Sequence, residues 1–519
     1  MKSDVVGLHH TWCDAKISEI TSVNPTLDKA GIPDDLDISF VPMPAVQAES
    51  GIIDVSGIRK FSEVKKGYTP FREGDVLFAK ITPCMENGKM AVVPEVRNGI
   101  GFGSTEFHVL RALSGVNAKY IYYYLSSQAF RREAEHNMSG AVGQRRVTTP
   151  YLSACDVPLP PTNEQHRIVT KIEELFSELD KGIENLKTAR AQLKVYRQAL
   201  LKHAFEGKLT AQWRKENQDK LETADTLLKH IQQERTQRYQ QQLADWQTSG
   251  GSKPKAPKSL PPLTTAELAE LPELPEGWGW VKVDSYCDAE RNSIKAGPFG
   301  SSLKKEFYVK EGYKVYGQEQ VISGDWKYGD YFIDEARYLD LESCKVKPFD
   351  ILISLVGTLG KVLVLPENIT PGVINPRLVK ISPNLNAVVP EFFKYYFESS
   401  FLKGLYKLKT HGATMDVLNL GIIQELPFPI CSLKEQKFLI QEIEARLSEV
   451  DQLELTIITS LQQAEALRQS ILKKAFFGQL VPQDPRDEPA SALLARIKAD
   501  RVKIGDNAAK PRRAKKVSA

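Results

Sequence analysis

The hydrophobic pattern of this chain changes period several times, and the changes mark out its parts. From Ile172 to His203, positions recur in pairs at a seven-residue spacing: Ile172 and Leu175, Leu179 and Gly182, Leu186 and Ala189, Leu193 and Tyr196, Leu200 and His203. Gly182 and His203 are the weak members. Much later the chain repeats the stripe with Ile443, Val450, Leu453, Ile457, Ala464, Leu467 and Ile471, broken by Arg446, Ser460 and Lys474. An apolar stripe this narrow, kept over about five heptads, is a coiled-coil seam and not the wide face of a helix lying on a sheet. The pattern predicts two long helices that pair with each other rather than two amphipathic helices packed separately.

Elsewhere the period shortens. Residues 1–157 and 274–429 carry short β-rich runs such as Asp75-Val76-Leu77-Phe78-Ala79 and Phe107-His108-Val109-Leu110, separated by Gly and Pro turns. One amphipathic helix is expected at Lys119 to Glu135, with Ile121, Tyr124, Leu125 and Phe130 inward. Pro158, Pro160 and Pro161 end the first domain, since each lacks a backbone donor. Thr162 is the expected N-cap of the helix that follows, with Gln165 completing a capping box. Gly207 and Gly478 suit C-terminal caps.

The two helical stretches are also one sequence written twice. Glu164-Gln165, Ser177-Glu178-Leu179-Asp180, Arg197-Gln198 and Ala204-Phe205-Glu206-Gly207-Lys208-Leu209 return as Glu435-Gln436, Ser448-Glu449-Val450-Asp451, Arg468-Gln469 and Ala475-Phe476-Phe477-Gly478-Gln479-Leu480. The register holds without a gap over about 45 residues, a repeat of half-molecules rather than of short solenoid units. A shorter echo follows: Glu222-Thr223-Ala224, Leu227-Leu228 and Arg235 match Glu488-Pro489-Ala490, Leu493-Leu494 and Arg501. The chain therefore parses into a first α/β domain (1–157), a central spacer helix region (158–235) and a linker (236–273). A second α/β domain (274–429), a C-terminal spacer helix region (430–509) and a basic tail (510–519) follow. The fold class is α+β with an internal pseudo-twofold repeat.

Composition narrows the function without naming it. With 519 residues, 42% hydrophobic and 26% charged, the chain is globular and too long for one core. A net charge of +4 permits a nucleic-acid partner but does not demand one. Six scattered cysteines without a CxxC pair argue against structural zinc and disulfides. Met1-Lys2-Ser3-Asp4 opens no apolar signal region, and the apolar run Ile351 to Leu365 is interrupted by Gly357, Gly360 and Lys361. A cytoplasmic protein with no membrane span is expected.

Candidate catalytic patterns are thin. Gly357-Thr358-Leu359-Gly360-Lys361-Val362 has two residues between its glycines where a phosphate loop has four, and Val362 stands at the metal-binding hydroxyl position. The first half carries Asn87-Gly88-Lys89-Met90 at the corresponding place, so both read as turns between strands. Gly99-Ile100-Gly101-Phe102-Gly103 is expected to be a turn entering the Phe107 strand. Pro33-Asp34 with Glu63-Val64-Lys65 meets only the loosest nuclease pattern, which would need its carboxylates to converge. No catalytic residue, cofactor site or metal set is assigned.

What remains is paired recognition. Polar, basic and aromatic residues fall in expected loops of both domains. In the first these are Lys80, Thr82, Asn87, Lys89, Gln144, Arg145 and Arg146. In the second they are Lys295, Ser301, Ser302, Lys304, Lys305, Gln318, Lys361, Arg377, Lys409, His411 and Thr414. Arg and Lys can bracket phosphates or guanine edges, and Asn or Gln can read adenine. Taken singly, each is an ordinary solvated side chain.

The duplicated helix, its Pro-Leu-Pro-Pro and Glu-Gln start and its Ala-Phe-x-Gly-x-Leu end resemble the specificity subunits of type I restriction-modification systems. Leu274-Pro275-Glu276-Gly277-Trp278, Gly297-Pro298-Phe299-Gly300-Ser301 and the Gly357–Val362 stretch look like that family's recognition-domain motifs. The first domain matches less well: Trp12 with Ile17 only roughly echoes Trp278 with Val283. The resemblance implies two target-recognition domains joined by spacer helices that pair antiparallel. It also implies a non-catalytic subunit reading a bipartite, asymmetric site in double-stranded DNA. Adenine methylation and restriction would come from two methyltransferase subunits and restriction-translocase subunits. About 35 helical residues give a rod of roughly 50 Å, long enough for two readers one duplex turn, about 34 Å, apart. The alternatives are a coiled-coil scaffold that assembles other proteins without DNA, and a self-sufficient nuclease.

Overall fold

A computed structural model describes residues 10–141, 143–250, 253–254, 256, 260–290, 292–355, 361–400, 402 and 420–508. The chain divides into two compact units, residues 1–187 with 458–519, and residues 188–457. Each long helix, Thr162–Phe205 and Leu433–Phe476, contributes one stretch to each unit. No helix among the described residues is long and apolar enough to cross a membrane.

Among its described residues the first unit holds ten short strands: β1 (Cys13–Lys16), β2 (Thr21–Val23), β3 (Asp37–Val41), β4 (Ile58–Lys60), β5 (Thr69–Phe71), β6 (Val76–Ala79), β7 (Met90–Val92), β8 (Gly101–Gly103), β9 (Phe107–Ala112) and β10 (Asp156–Leu159). They form an antiparallel sheet β2-β9-β6-β7, a sheet β4-β3-β8-β5 in which β3 and β8 run parallel, and a β1-β10 ribbon. All four residues of β6 are buried, as a continuous apolar run between two packed faces requires. The expected turn at Gly101–Gly103 is instead strand β8, and its glycines make room. A Cβ on Gly101 would sit 2.0 Å from the Phe71 ring, and one on Gly103 would sit 2.6 Å from the Val41 carbonyl.

The helix expected over Lys119 to Glu135 is two helices, Ala118–Ser126 and Gln128–His136. Ser127 between them has φ −60° and ψ 140°, and its hydroxyl accepts from the Phe130 N–H at 3.3 Å. A serine offers the backbone this alternative to helix continuation. The break lets Ile121 and Leu125 on one side, and Phe130 and Ala134 on the other, enter one core.

The second unit repeats the plan with β11 (Gly279–Lys282), β12 (Ile294–Ala296), β13 (Tyr313–Tyr316), β14 (Phe332–Ile333), β15 (Ile351–Ser354), β16 (Val362–Val364), β17 (Gly372–Ile374), β18 (Leu378–Ile381) and β19 (Pro427–Ile430). Sheet β12-β18-β15-β16 and the ribbon β11-β19 match those of the first unit in order, and β14-β13-β17 matches β4-β3-β8 without a strand, among the described residues, at the place of β5. In each main sheet an inner strand, β6 or β15, is preceded by a buried aspartate, with different partners in the two units. Asp75 accepts Arg111 through two 2.8 Å bonds. Asp350 accepts the Ser382 hydroxyl at 2.6 Å, with Lys380 at 3.8 Å. Burial raises the Asp350 carboxyl pKa and lowers that of Lys380.

In each unit the long helices run antiparallel. Asp180 pairs with Arg468 in the first. In the second, Arg190 meets Glu454 at 3.3 Å and Arg197 meets Asp451, so one number rises as the other falls. Ile443, Val450, Ile457, Ala464 and Ile471 are buried at the seven-residue spacing. Their seam companions Tyr196, Leu453 and Leu467 are exposed by 44%, 53% and 51%, because two helices cover only a narrow stripe of each other.

Both long helices end as the glycines suggest. Gly207 and Gly478 have φ 68°. Lys208 N–H bonds back to His203 O at 3.0 Å and Gln479 N–H to Lys474 O at 2.8 Å, a Schellman closure in both copies. The capping box at Thr162 does not form. Thr162 Oγ1 donates to Gly115 O at 2.8 Å, and Gln165 ties the helix to its domain. Gln165 Oε1 accepts Asn117 N–H at 2.8 Å while Nε2 donates to Pro160 O at 3.0 Å. Gln436 does the same with Val389 N–H (2.9 Å) and Cys431 O (2.8 Å).

The shorter echo is a matched docking element. In the first unit, helix Ala490–Ala508 buries Leu493 and Ile497, and Arg501 donates to Ser18 O (2.7 Å) and Thr21 O (2.9 Å). In the second, helix Ala224–Ser249 buries Leu227 and Ile231, and Arg235 donates to Asp284 O and Cys287 O, both at 2.8 Å. Trp12 and Trp278 hold the same place before β1 and β11: Ala490 N–H bonds to Thr11 O and Ala224 N–H to Gly277 O, each at 2.9 Å. The rough echo in sequence is thus a true structural equivalence.

Candidate nucleic-acid interface

Strand register gathers most of the predicted polar residues at one end of each domain. In the first, β6 and β9 end on the pair Ala79 and Phe107, and β7 starts at Met90 opposite Phe78. Lys80, Lys89 and Glu106 therefore flank the same sheet end, joined by Lys80 N–H to Glu106 O (2.9 Å) and Ala79 N–H to Lys89 O (3.0 Å). The loop between β6 and β7 carries Thr82 and exposed Asn87. Segment 144–146 joins through Thr82 N–H to Arg145 O at 3.0 Å and a bridge between Ile81 and Arg146.

Several of these groups are already engaged. Arg146 clasps Glu106 through Nε and Nη2, both at 2.9 Å, which holds the Glu106 carboxyl pKa below its ordinary value. Arg145 lies 3.8 Å from Glu135 and 4.0 Å from Glu86. Thr82 Oγ1 donates to Glu86 Oε1 at 3.0 Å, and Lys89 Nζ to Met43 O at 3.3 Å. Gln144 is exposed and contributes its carbonyl to Arg146 Nη1 at 3.0 Å. Behind this rim His108 is buried, and burial lowers its pKa. Its Nε2 lies 2.8 Å from Val147 O and its Nδ1 3.1 Å from Asn24 Nδ2, which assigns the neutral Nε2–H tautomer.

The second domain builds the equivalent end from other side chains. Leu355 N–H bonds to Arg377 O at 3.0 Å, as Lys80 does to Glu106. Gln318, opening a short helix after β13, donates to Ser354 Oγ at 2.9 Å, and Arg377 Nη1 donates to Gln318 Oε1 at 3.3 Å. Exposed Lys361 precedes β16 just as Lys89 precedes β7. Ser301 and Ser302 lie in the turn after β12; Lys304, 3.5 Å from Glu306, and Lys305 follow it. Lys295 is not in a loop: it lies within β12 opposite Lys380. Lys409, His411 and Thr414, and the glycines of Gly357–Gly360, lie outside the described residues. Asp34, of the loose nuclease pattern, is held by Lys65 at 2.7 Å.

Glu86, Glu106, Asn24, Ser354 and Asn375 belong to these two ends but are missing from the predicted set. Ser354 ends a paired strand and the others lie in turns or just past strand ends, places visible only once register is known.

Two α/β domains of one plan, each presenting a polar loop-built end and each carried on a copy of one helix, define a two-headed reader of an extended ligand. The family model for the type I restriction modification DNA specificity domain matches residues 10–188 and 275–466. The chain belongs to that family. It is similar to the type I restriction enzyme EcoAI specificity subunit of Escherichia coli, 27% identical over 499 residues that cover 87% of this chain and 80% of that protein. It is also similar to the Escherichia coli EcoEI specificity subunit, 30% identical over 314 residues, 52% of this chain and 50% of that one. The HsdS subunit from Thermoanaerobacter tengcongensis shares the fold with a TM-score of 0.55 at 19% identity, over 92% of this chain and 100% of that one. A chain from a structure of type I R-M complex assembly and conformational transition gives a TM-score of 0.64 at 19% identity, over 91% and 100%. The chain is a DNA-specificity subunit with two specificity domains, suited to a bipartite target.

Proposed function

We propose that the loop end of each domain reads one half of the target. Lys80, Thr82, Asn87, Lys89, Gln144, Arg145 and Arg146 would serve the first half-site. Ser301, Ser302, Lys304, Lys305, Gln318, Lys361 and Arg377 would serve the second, to which the sequence alone adds Lys409, His411 and Thr414. The observation that carries this reading is the equivalence of the two ends: the same backbone bonds, Lys80 to Glu106 and Leu355 to Arg377, frame different side chains. A common frame with different groups suits two half-sites of different sequence. Glu86 and Glu106 add acceptors of the kind that meet cytosine N4, and Gln318 is of the kind that meets adenine.

In this reading methylation and cleavage belong to partner subunits, and the chain works in the cytoplasm as their guide. Exchanging residues 1–155 for the matching segment of another family member tests the reading. Mapping modified adenines across the host genome should then show one half of the motif changed and the other kept. A change in both halves, or in neither, would refute it.

A further inference from the structure

Phe299 is 88% exposed, although phenylalanine is ordinarily a core residue. Its backbone is firmly held. On one side Gly297 N–H donates to Leu378 O at 2.9 Å, and a Cβ on Gly297 would sit 1.8 Å from Asn375 O. The turn therefore lies flat against the segment carrying Arg377. On the other side Leu303 is buried in a core with Val315, Tyr316 and Leu378. Between these anchors Ser302 N–H closes the turn onto Phe299 O at 2.8 Å. The ring thus projects from a fastened turn at the domain's polar end. Its neighbours Gly300, Ser301 and Ser302 offer it no apolar cover, and exposed Lys304, Lys305 and Arg377 supply positive charge around it.

Resting on the DNA-reading assignment above, we infer that Phe299 is an apolar probe pressed against the bases of the second half-site. It stacks on an unstacked base or wedges between two base pairs while the surrounding cations hold the phosphates. Apolar wedges of this kind open base steps, and base stacking on an aromatic ring rewards a flat face presented to the DNA. Fastening the turn at both ends limits the ordering cost of placing that face. The first domain has no counterpart: its turn after β2, Asn24 to Gly31, contains no aromatic residue. The two half-sites are therefore engaged differently.

The test uses full-length Phe299→Ala and Phe299→Trp chains in complex with the methyltransferase subunits. Each is titrated onto a duplex carrying the genome-mapped motif and onto one with the second domain's half-site scrambled. On the matched duplex Phe299→Ala should bind about 10- to 100-fold more weakly, the loss of one base-stacking ring, with little change on the scrambled one. Phe299→Trp should stay within about threefold. The slope of log affinity against log salt should not change, because no phosphate contact is lost. Matched-duplex binding by Phe299→Ala within about twofold of the unsubstituted chain overturns the inference. So does an equal loss on both duplexes, or a lowered melting temperature, which would make the ring structural. If the unsubstituted complex fails to distinguish the two duplexes, the DNA-reading assignment itself falls.

Discussion

Arg146 grips Glu106 with two 2.9 Å hydrogen bonds at the rim of the first domain. The pair turns an apparent phosphate-binding arginine into a neutral unit whose outward edges are still polar. Removing the carboxylate charge should free the guanidinium. Glu106→Gln is expected to raise affinity for any duplex and to steepen the salt dependence by about one released counterion, while discrimination of the first half-site falls. Salt titrations on matched and unrelated duplexes measure both. An unchanged slope would show that Arg146 does not turn to the phosphates once released.

Gln165 is fully buried and serves Asn117 N–H and Pro160 O together. Gln165→Leu keeps the bulk but strands one donor and one acceptor, at about 1–3 kcal/mol each. The expected destabilisation is about 2–4 kcal/mol, read from urea unfolding at an unchanged m-value. Gln436→Leu should do the same in the second unit, where Val389 N–H, Ala387 O and Cys431 O lose their partner. A cost under about 1 kcal/mol in either would mean that the helix starts are held elsewhere.

The repeated glutamate one residue earlier is treated oppositely in the two copies. Glu435 is buried but accepts Arg214 Nε at 3.0 Å and Thr210 Oγ1 at 2.7 Å. Arg214→Met should leave that carboxylate without a cation and cost about 3–5 kcal/mol, measured by chemical unfolding at pH 7. A cost below about 1 kcal/mol would show that Thr210 alone suffices.

Glu164, its counterpart, is 1% exposed, and burial raises its pKa despite the Trp12 indole beside it. A carboxyl whose folded pKa exceeds its unfolded value penalises the native state once the unfolded chain ionises. That penalty grows as pH rises from the unfolded value to the folded one and then levels off. Glu164→Gln keeps the shape of the side chain and removes the charge. It should be more stable than the unsubstituted chain at pH 7, with the advantage fading as pH falls through the carboxylate range. Unfolding curves taken from pH 4 to pH 8 check this; a gap that widens toward acid would reverse the sign.

The parts of this molecule written in local periodicity were legible in its sequence. The heptads of Ile172–Leu200 and Ile443–Ile471, the Gly207 and Gly478 ends and the β-rich runs depend on neighbours along the chain. What depended on distant partners was not. Ser127 breaks a helix because its two halves serve one core, and Thr162 gives its hydroxyl to Gly115 instead of capping. Arg145 and Arg146 looked like free cations because Glu86, Glu106 and Glu135 come from other segments. Arg235 and Arg501 were visible as an echo, but their carbonyl partners were not. Polar loop residues identify candidates; strand register decides which of them share an end.

The paired helices offer a prediction about distance. Seven residues added to both, between Lys187 and Thr188 and between Ile457 and Ile458, preserve the seam, because a heptad returns each side chain to nearly the same face. The added rise is about 10 Å, close to three base-pair steps of a duplex that turns once in about 34 Å. The optimal gap between half-sites should therefore lengthen by about three base pairs. Three steps also rotate the second half-site by about a quarter turn or more, so affinity should drop at the new optimum. Three added heptads, about 32 Å, restore a nearly whole duplex turn and should recover binding at a gap about nine base pairs longer. Sequencing modified adenines in cells carrying each variant reads the gap directly. An unchanged gap in a folded, methylating variant would mean that the helices do not set the spacing.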